Sequence, residues 1–153
     1  MKVLMVCLGN ICRSPMAEGI LRSMAVQKGL DIEVDSCGTA SYHVGQHPDP
    51  RSVSKSIEHN IDISSLYGRQ FGITDFDEFD FILTMDTYNY DDIRSLARND
   101  DDLQKVKMIL NYSHPEEDKD VPDPYYGGAQ GFENVFQLLD KASEAFIRNH
   151  FNE

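Results

Sequence analysis

Short apolar runs alternate along the chain with longer segments in which apolar side chains recur every three or four positions. Continuous apolar runs are typical of buried strands, and the longer period is typical of amphipathic helices. The runs predict strands at 1–6, 32–36, 79–85 and 106–110, and the periodic segments predict helices at 15–28, 50–60, 88–98 and 132–151. A further short helical piece is expected around 73–76, without a defined register.

This order, β-α-β-α-β-α-β-α, predicts the α/β class. Near-continuous apolar strands joined by helices favour one doubly wound sheet of about four parallel strands, with helices on both faces. No repeat, low-complexity tract or linker interrupts the pattern, so residues 1–153 are expected to form a single domain. Ligands of such sheets bind beyond the carboxyl ends of the strands, where the loop after the first strand falls.

That loop carries the strongest chemical signal in the chain. It runs from Cys7 through Gly9 to Arg13, and Ser14-Pro15 then marks the start of a helix. Backbone N–H groups of residues 8–13, with the helix dipole behind them, are suited to a tetrahedral oxyanion. The planar guanidinium of Arg13 adds a fork that holds two phosphate oxygens. The pattern predicts a phosphate-binding loop.

The same electrostatics favour a reactive sulfur at Cys7. N–H donors, a helix N-terminus and a guanidinium stabilise a thiolate, which attacks phosphorus. The Ser14 hydroxyl is placed to donate to that thiolate, and Asn10 is a residue type that tolerates left-handed backbone. The alternative is that Cys7 is a small buried hydrophobe ending a strand. The strand, the glycine and the Ser-Pro helix start together favour catalysis.

Composition narrows the class of protein. The 153 residues carry a net charge of −12, which argues against nucleic acid and anionic membranes as partners. No stretch approaches the roughly 20 apolar residues that span a bilayer, and no leader is evident, so a cytoplasmic protein is expected. It is expected to be a monomer, although exposed aromatic residues near the site would allow weak self-association. Acidic runs at 99–102 and 116–120 are interpreted as solvated loops.

The cysteines and histidines do not predict a metal or a disulfide framework. Three cysteines, at positions 7, 12 and 37, fit a reducing compartment, and Cys37 is interpreted as structural. His43 and His47 have a ligand-like spacing, but Gly45 and Pro48 disfavour a metal-binding helix there.

Residues 7–15 resemble the signature loop of the low-molecular-weight protein tyrosine phosphatases. A second segment, Asp123-Pro124-Tyr125-Tyr126-Gly127, resembles the general-acid loop of that family, and residues 35–39, 49–51 and 85–86 follow in the family's order. The resemblance covers essentially the whole chain. It implies a flavodoxin-like fold and a phosphatase that needs no cofactor or metal and acts on phosphotyrosine-containing proteins.

The resemblance also implies roles for individual residues. Cys7 is the nucleophile, Arg13 binds phosphate, and Asp123 is the general acid and then the base. Its apolar neighbours and a bound phosphate dianion are expected to desolvate Asp123 partly and favour its neutral form. The alternative for Asp123 is a turn-forming Asp before Pro. The other residues expected to bind substrate, around the loop and at the mouth of the pocket, are Leu8, Gly9, Asn10, Ile11, Cys12, Ser14, Tyr42 and Tyr125.

Two positions bear on regulation and on bracing of the loop. Family members with both loop cysteines imply a reversible disulfide between Cys7 and Cys12 that protects Cys7 from over-oxidation. Many members carry a His after the Ser that matches Ser64, whereas this chain has Ser65. The loop is therefore expected to be braced differently here.

Related activities give the alternatives. Thioredoxin-coupled arsenate reductases need two further cysteines downstream, and this chain has none after Cys37. Protein arginine phosphatases resemble the chain more closely but place Thr where Ile11 stands, so they are the enzymatic runner-up. A noncatalytic phosphopeptide-binding or redox-sensing module would keep Arg13 without needing Asp123.

Overall fold

The fold is a parallel sheet with helices packed on both faces. The structure, a computed structural model, describes residues 1–151 apart from the side chain of Tyr126. The strands are β1 (Lys2–Cys7), β2 (Glu33–Gly38), β3 (Phe81–Thr84) and β4 (Val106–Met108). The helices are α1 (Arg13–Lys28), α2 (Pro50–Glu58), α3 (Asp75–Glu78), α4 (Thr87–Ser95), α5 (Asp100–Lys105) and α6 (Gly128–Phe151). Short 3₁₀ turns lie at Ile109–Asn111 and Pro124–Tyr126.

The strand order is β2-β1-β3-β4, and every described pairing is parallel. β1 lies at the centre, with its register fixed by Val6 opposite Cys37 on one side and Thr84 on the other. After β1 the chain forms β2 on one side of β1, and it later forms β3 on the other side of β1. The order of the strands therefore reverses at the carboxyl end of β1, the place where ligands bind in such sheets. The predicted fold class is confirmed.

Alternate side chains of β1 supply the two halves of the core, since successive side chains point to opposite faces of a strand. Val3 and Met5 pack with α1 and α6, whereas Leu4 and Val6 pack with Phe76 and the other apolar residues on the opposite face. All four β1 side chains are fully buried. A central strand that is apolar on both faces is what the continuous apolar run predicted.

Several predicted boundaries are shifted. The first helix begins at Arg13, two residues before the expected Pro15. It ends at Lys28 as predicted, and is capped by Gly29, whose φ of 66° is left-handed. Residues 109 and 110, predicted as strand, form a 3₁₀ turn instead. The last helix begins at Gly128 rather than at Phe132, four residues earlier than its apolar period indicates.

The acidic run at 99–102 is not a solvated loop. Asn99 caps α5 by accepting from the backbone N–H of Asp102 at 2.9 Å. Asp102 is buried and accepts from the guanidinium of Arg98 at 2.9 Å. The loop assignment was wrong, although Asn99, Asp100 and Asp101 are exposed as expected. A helix start and a solvated loop share the same polar composition, because carboxylates are favoured in the first turn by the helix dipole.

Candidate active site

The predicted phosphate loop lies at the carboxyl edge of the sheet, between β1 and α1. Cys7 is the last residue of β1 and is 3% exposed, and Arg13 is the first residue of α1 and is 4% exposed. The loop between them is held against β2 by two backbone hydrogen bonds, from Thr39 N to Cys7 O at 2.9 Å and from Ala40 N to Leu8 O at 3.0 Å. A thiol and a guanidinium are thereby fixed at the two ends of one tight loop.

The sulfur of Cys7 is surrounded by hydrogen-bonding groups. Its Sγ atom lies 2.9 Å from the hydroxyl of Ser14, and the backbone N–H of Asn10 donates to it at 3.3 Å. These two groups are the ones that would donate hydrogen bonds to the sulfur during a reaction at Cys7. The proposed contact between Ser14 and the sulfur is therefore present in the folded chain.

Asn10 connects the loop to the body of the protein. Its φ of 58° is the left-handed conformation expected for this residue. Its side-chain Nδ2 donates to Ser14 Oγ at 2.8 Å and to Ser36 Oγ at 2.9 Å, and its Oδ1 accepts from the backbone N–H of Arg69 at 3.0 Å. Asn10 is buried, so it fixes the loop from below rather than facing a ligand.

The Asn10–Arg69 contact shows how the loop is braced without the histidine of the family pattern. Ser65 is exposed, and the brace is instead a backbone N–H from a residue four positions later. Arg69 is itself anchored, because its guanidinium donates to Asp35 at 3.0 Å and to Asp75 at 3.0 Å. In this chain the loop is therefore braced by Asn10 and the segment around Arg69, without a contribution from Ser65.

A buried carboxyl group ends this network. Ser36 donates to Glu18 Oε1 at 2.7 Å, and Glu18, only 2% exposed, is also paired with Arg22. Burial raises the pKa of Glu18, and the hydrogen bond from Ser36 and the charge of Arg22 counteract only part of that effect. The chain of contacts from Glu18 through Ser36 and Asn10 to Ser14 leads to the sulfur of Cys7.

Arg13 is held from its other side by a carboxylate that the sequence analysis assigned no role. Asp86, two residues after the end of β3, accepts from Arg13 Nη1 at 2.7 Å, and Val121 O accepts from the same nitrogen at 2.9 Å. Burial lowers the pKa of Arg13, but Cys7 and Asp86 outweigh it and raise that pKa above its ordinary value. A fixed cation therefore faces the cleft.

The site opens into a cleft of about 300 Å³. Asn10 and Ser14, predicted to bind substrate, are buried beneath it and are not among its lining residues. His43, which sequence reasoning missed as a site residue, also lines the cleft. The predicted site residues that line it are Cys7, Leu8, Gly9, Ile11, Cys12, Arg13, Tyr42, Asp123 and Tyr125.

The segment that carries Asp123 is tied to the cleft by an arginine. Asp123 caps the 3₁₀ turn by accepting from Tyr125 N at 3.0 Å, and Arg51 donates to Tyr125 O at 2.7 Å. The guanidinium of Arg51 also lies 4.8 Å from the ring centroid of Tyr125. Asp123 is exposed in the absence of a substrate, so its apolar neighbours alone do not bury its carboxylate.

The other two cysteines differ from Cys7 in environment. Cys12 lines the cleft, and burial raises its pKa to about 12, so its thiol keeps its proton at neutral pH. Cys37 is fully buried on the opposite face of the sheet, in agreement with a structural role.

The two larger clefts of the described chain are not lined by a cysteine. Larger clefts of about 630 and 690 Å³ lie beside α6, away from the loop. Within residues 1–151, no group of three His, Cys, Asp or Glu side chains is placed to hold a metal ion. No described helix is long and apolar enough to cross a bilayer.

A buried thiol and a buried guanidinium on one strand-to-helix loop define an α/β protein built to hold an oxyanion over a reactive sulfur. Residues 2–153 match the profile of the low molecular weight phosphotyrosine protein phosphatases. The chain therefore belongs to that family and is a phosphatase, as the resemblance implied.

Individual relatives agree with this assignment. A low molecular weight phosphotyrosine protein phosphatase of Schizosaccharomyces pombe is 39% identical, over 97% of this chain and 96% of its own. The crystal structure of YfkJ from Bacillus subtilis is 39% identical, with a TM-score of 0.89 and 97% and 93% of the two chains covered. That of a Drosophila arginine phosphatase is 34% identical, with a TM-score of 0.92 and 99% and 98% covered.

Proposed function

We propose that this phosphatase hydrolyses phosphotyrosine in proteins through a cysteinyl-phosphate intermediate. The observation that carries the proposal is the cleft in which Cys7, Arg13 and Asp123 meet, with Ser14 Oγ 2.9 Å from the sulfur. The family supplies the reaction class, and the relatives named for phosphotyrosine support the substrate.

Substrate capture rests on charge and on shape. The loop amides of residues 8–13 and the fork of Arg13 hold the equatorial oxygens of the phosphate. Because Asp86 and Val121 O both engage Arg13 Nη1, the rest of the guanidinium is left to face the anion. Tyr42 and Tyr125, 74% and 42% exposed, flank the mouth and stack on the phenyl ring.

In the first step, the Cys7 thiolate attacks phosphorus, and the bond from phosphorus to the tyrosine oxygen breaks. Asp123 gives its proton to that leaving oxygen, so that tyrosine departs neutral. The exposed Asp123 is brought into a drier environment when the substrate ring covers it, and the bound phosphate anion then favours its protonated form. Arg13 and the loop amides stabilise the charge of the transition state.

In the second step, water attacks the cysteinyl-phosphate. Asp123, now a carboxylate, takes a proton from that water, and the bond from sulfur to phosphorus breaks. The Cys7 thiolate leaves with the Ser14 hydroxyl and the Asn10 N–H as its donors. Protein side chains and amides supply each role, so the mechanism needs no metal or organic cofactor.

We further propose that the chain acts as one domain, in the cytoplasm and as a monomer. Its net charge of −12 disfavours nucleic acid and anionic membranes as partners. Three free, buried cysteines fit a reducing compartment.

Phosphoarginine is the second candidate substrate, favoured by the similarity to the Drosophila arginine phosphatase. Ile11, which lines the cleft, places an apolar side chain beside the reacting group. An apolar wall suits a phenyl ring better than a polar guanidinium, because the guanidinium would lose hydrogen bonds to water there.

The test is the hydrolysis of matched phosphotyrosine, phosphoserine and phosphoarginine peptides by protein treated with a chelator, with Cys7→Ser as the blank. We expect selective release from phosphotyrosine that disappears in Cys7→Ser. Faster hydrolysis of the phosphoarginine peptide would mean that phosphoarginine, and not phosphotyrosine, is the substrate. Absence of release from all three would favour a binding or redox-sensing module.

A further inference from the structure

A second cleft, of about 500 Å³, adjoins the phosphate cleft. Leu8, Arg13 and Asp123 line both clefts and so form the wall between them. The other lining residues come from the start of α4 and from the segment leading to Asp123, namely Asp86, Tyr88, Asn89, Asp92, Asp120, Val121 and Pro122. Any side chain in this cleft would lie next to the phosphorylated residue of a substrate.

The charge of this second cleft is negative. Four carboxylates line it, those of Asp86, Asp92, Asp120 and Asp123, against the single cation of Arg13. That cation is already paired with Asp86 at 2.7 Å. The remaining carboxylates therefore have no lining cation to balance them, and the cleft attracts positive charge.

Asn89 gives the cleft an unused acceptor. The residue is 1% exposed, and its Oδ1 atom is buried with no hydrogen-bond partner among the described residues. Asn89 lines the cleft, and its backbone N–H donates to Asp86 Oδ1 at 2.8 Å, which holds the first turn of α4 at the wall of the cleft. Buried acceptors are almost always paired, so an unpaired one in an acidic cleft points to a ligand that brings N–H donors.

The rim of the cleft suits a cation in a further way. Tyr88 is 80% exposed and offers its ring at the edge. Aromatic faces attract guanidinium and ammonium groups, arginine more often than lysine. Carboxylates, an amide oxygen and an aromatic ring together match a guanidinium, which carries five N–H donors in one plane.

We infer that this second cleft binds the side chain of an arginine or lysine that flanks the phosphotyrosine of the substrate. The inference rests on the proposed function and defines its substrate class as phosphotyrosine next to a basic residue. The net charge of −12 opposes approach of an isolated phosphate, and a basic neighbour reverses that opposition by making the peptide less negative. The phosphate cleft then binds the phosphotyrosine, and the second cleft binds the neighbouring basic side chain of the same peptide.

The test uses one phosphotyrosine peptide in which Arg replaces Ala in turn at each of the two positions before and after the phosphotyrosine. The measured quantity is the ratio of kcat/KM for the Arg peptide to that for the Ala peptide. At the best position we expect a ratio of about five, the size typical of a partly exposed charge pair. A Glu peptide is expected to fall below the Ala peptide.

Two variants at neighbouring positions decide whether the cleft is responsible. Asp92→Asn removes a lining carboxylate and is expected to bring the ratio close to one. Asp91→Asn is the control, because it changes the net charge equally at an exposed residue of the same helix that does not line the cleft. Asn89→Ala is expected to lower the ratio as well, since it removes the unpaired acceptor.

The outcomes separate the inference from the function on which it rests. Hydrolysis of the Ala peptide tests the phosphotyrosine function alone. If that peptide is hydrolysed and no Arg position raises the rate, the inference is wrong and the function stands. An equal loss of the ratio in Asp91→Asn and Asp92→Asn would also overturn it, because the effect would then come from overall charge. If no phosphotyrosine peptide is hydrolysed, both are wrong.

Discussion

Arg13 Nη1 and Asp86 Oδ2 lie 2.7 Å apart although 73 positions separate them in the chain. β1 and β3 are neighbours in the sheet, so the residues that follow their carboxyl ends meet at one edge. The pair is nearly dry, with side chains 5% and 14% exposed. Removing one partner of such a pair leaves an uncompensated charge, which is more costly than never having buried the pair.

The first prediction concerns this pair. Asp86→Asn keeps an acceptor and a good helix cap for α4 but removes the charge, and we expect a loss of about 2 kcal/mol in the free energy of unfolding. Asp86→Ala also loses the cap and is expected to cost about 1 kcal/mol more. Urea unfolding of both variants measures this. An Asn variant as stable as the original chain would mean that Asp86 stabilises Arg13 by accepting a hydrogen bond and not by its charge.

The second prediction separates backbone strain from hydrogen bonding at Asn10. Asn10→Gly tolerates the φ of 58° but loses the contacts to Ser14, Ser36 and Arg69. Asn10→Ala loses the same contacts and adds a left-handed alanine, which costs about 1 kcal/mol. We expect both variants to lose kcat by about tenfold or more, in proportion to the lost positioning of Ser14.

The measurements for Asn10 are steady-state kinetics and thermal unfolding on both variants. The Ala variant should unfold at the lower temperature, whereas their kcat values should be similar. A Gly variant with full kcat would contradict the positioning role and leave Asn10 with a conformational role only.

The fold and the loop were predictable from the sequence because both depend on local patterns. The apolar runs fixed four strands, and the residues from Cys7 to Pro15 placed a thiol, a glycine and an arginine around one turn. The supports of the loop were not predictable in this way. Glu18 is a glutamate in a helix, a residue type that is mostly exposed. Only the approach of Ser36 from β2 shows that it is buried.

The strand order of the sheet identifies site residues that the apolar periodicity of the sequence does not. Asp86 follows a strand end, and a polar residue at such a place is a site candidate once the strand order is known. That order, in turn, depends on which strands pair, which the apolar runs alone do not specify. The exposure of Asp123 without a substrate was not predictable for a related reason: apolar neighbours in sequence do not by themselves bury a carboxylate.

The third prediction tests proton donation by Asp123. Asp123→Ala is expected to reduce kcat by about a hundredfold or more with phosphotyrosine, whose leaving oxygen needs a proton. With an aryl phosphate that expels an acidic phenol such as nitrophenol, the loss should be much smaller, because that phenoxide leaves unprotonated. Rates are compared across a series of phenols. Equal losses throughout the series would argue against the general-acid role.

The fourth prediction concerns the two cysteines of the cleft. Hydrogen peroxide oxidises the Cys7 thiolate to a sulfenic acid, and the Cys12 thiol then attacks that sulfur, releasing water and forming a disulfide. Because the pKa of Cys12 is about 12, this second step should accelerate as pH rises toward that value. We expect activity lost to peroxide to return fully with dithiothreitol.

Cys12→Ser decides whether that recovery depends on the second thiol. In this variant, prolonged peroxide treatment should oxidise Cys7 further and leave the loss irreversible. Cys37→Ser serves as the control, because Cys37 lies on the opposite face of the sheet. Full recovery of Cys12→Ser would exclude the protective disulfide.

The fifth prediction follows from the buried carboxyl of Glu18. Burial raises its pKa above the ordinary value of about 4.3, so the folded chain binds this proton more tightly than the unfolded chain does. The free energy that Glu18 contributes to stability must then fall as pH rises from near 4 through the folded pKa.

Glu18→Gln keeps an acceptor for Ser36 without titrating. We expect this variant to gain stability relative to the original chain as the pH rises from about 4 through the folded pKa of Glu18. Urea unfolding at steps across that range, with the exposed Glu78→Gln as control, measures the difference. The opposite slope would show that the charge of Arg22 outweighs burial, and Glu18 would then hold Ser36 and Asn10 in place as a carboxylate at every pH where the enzyme acts.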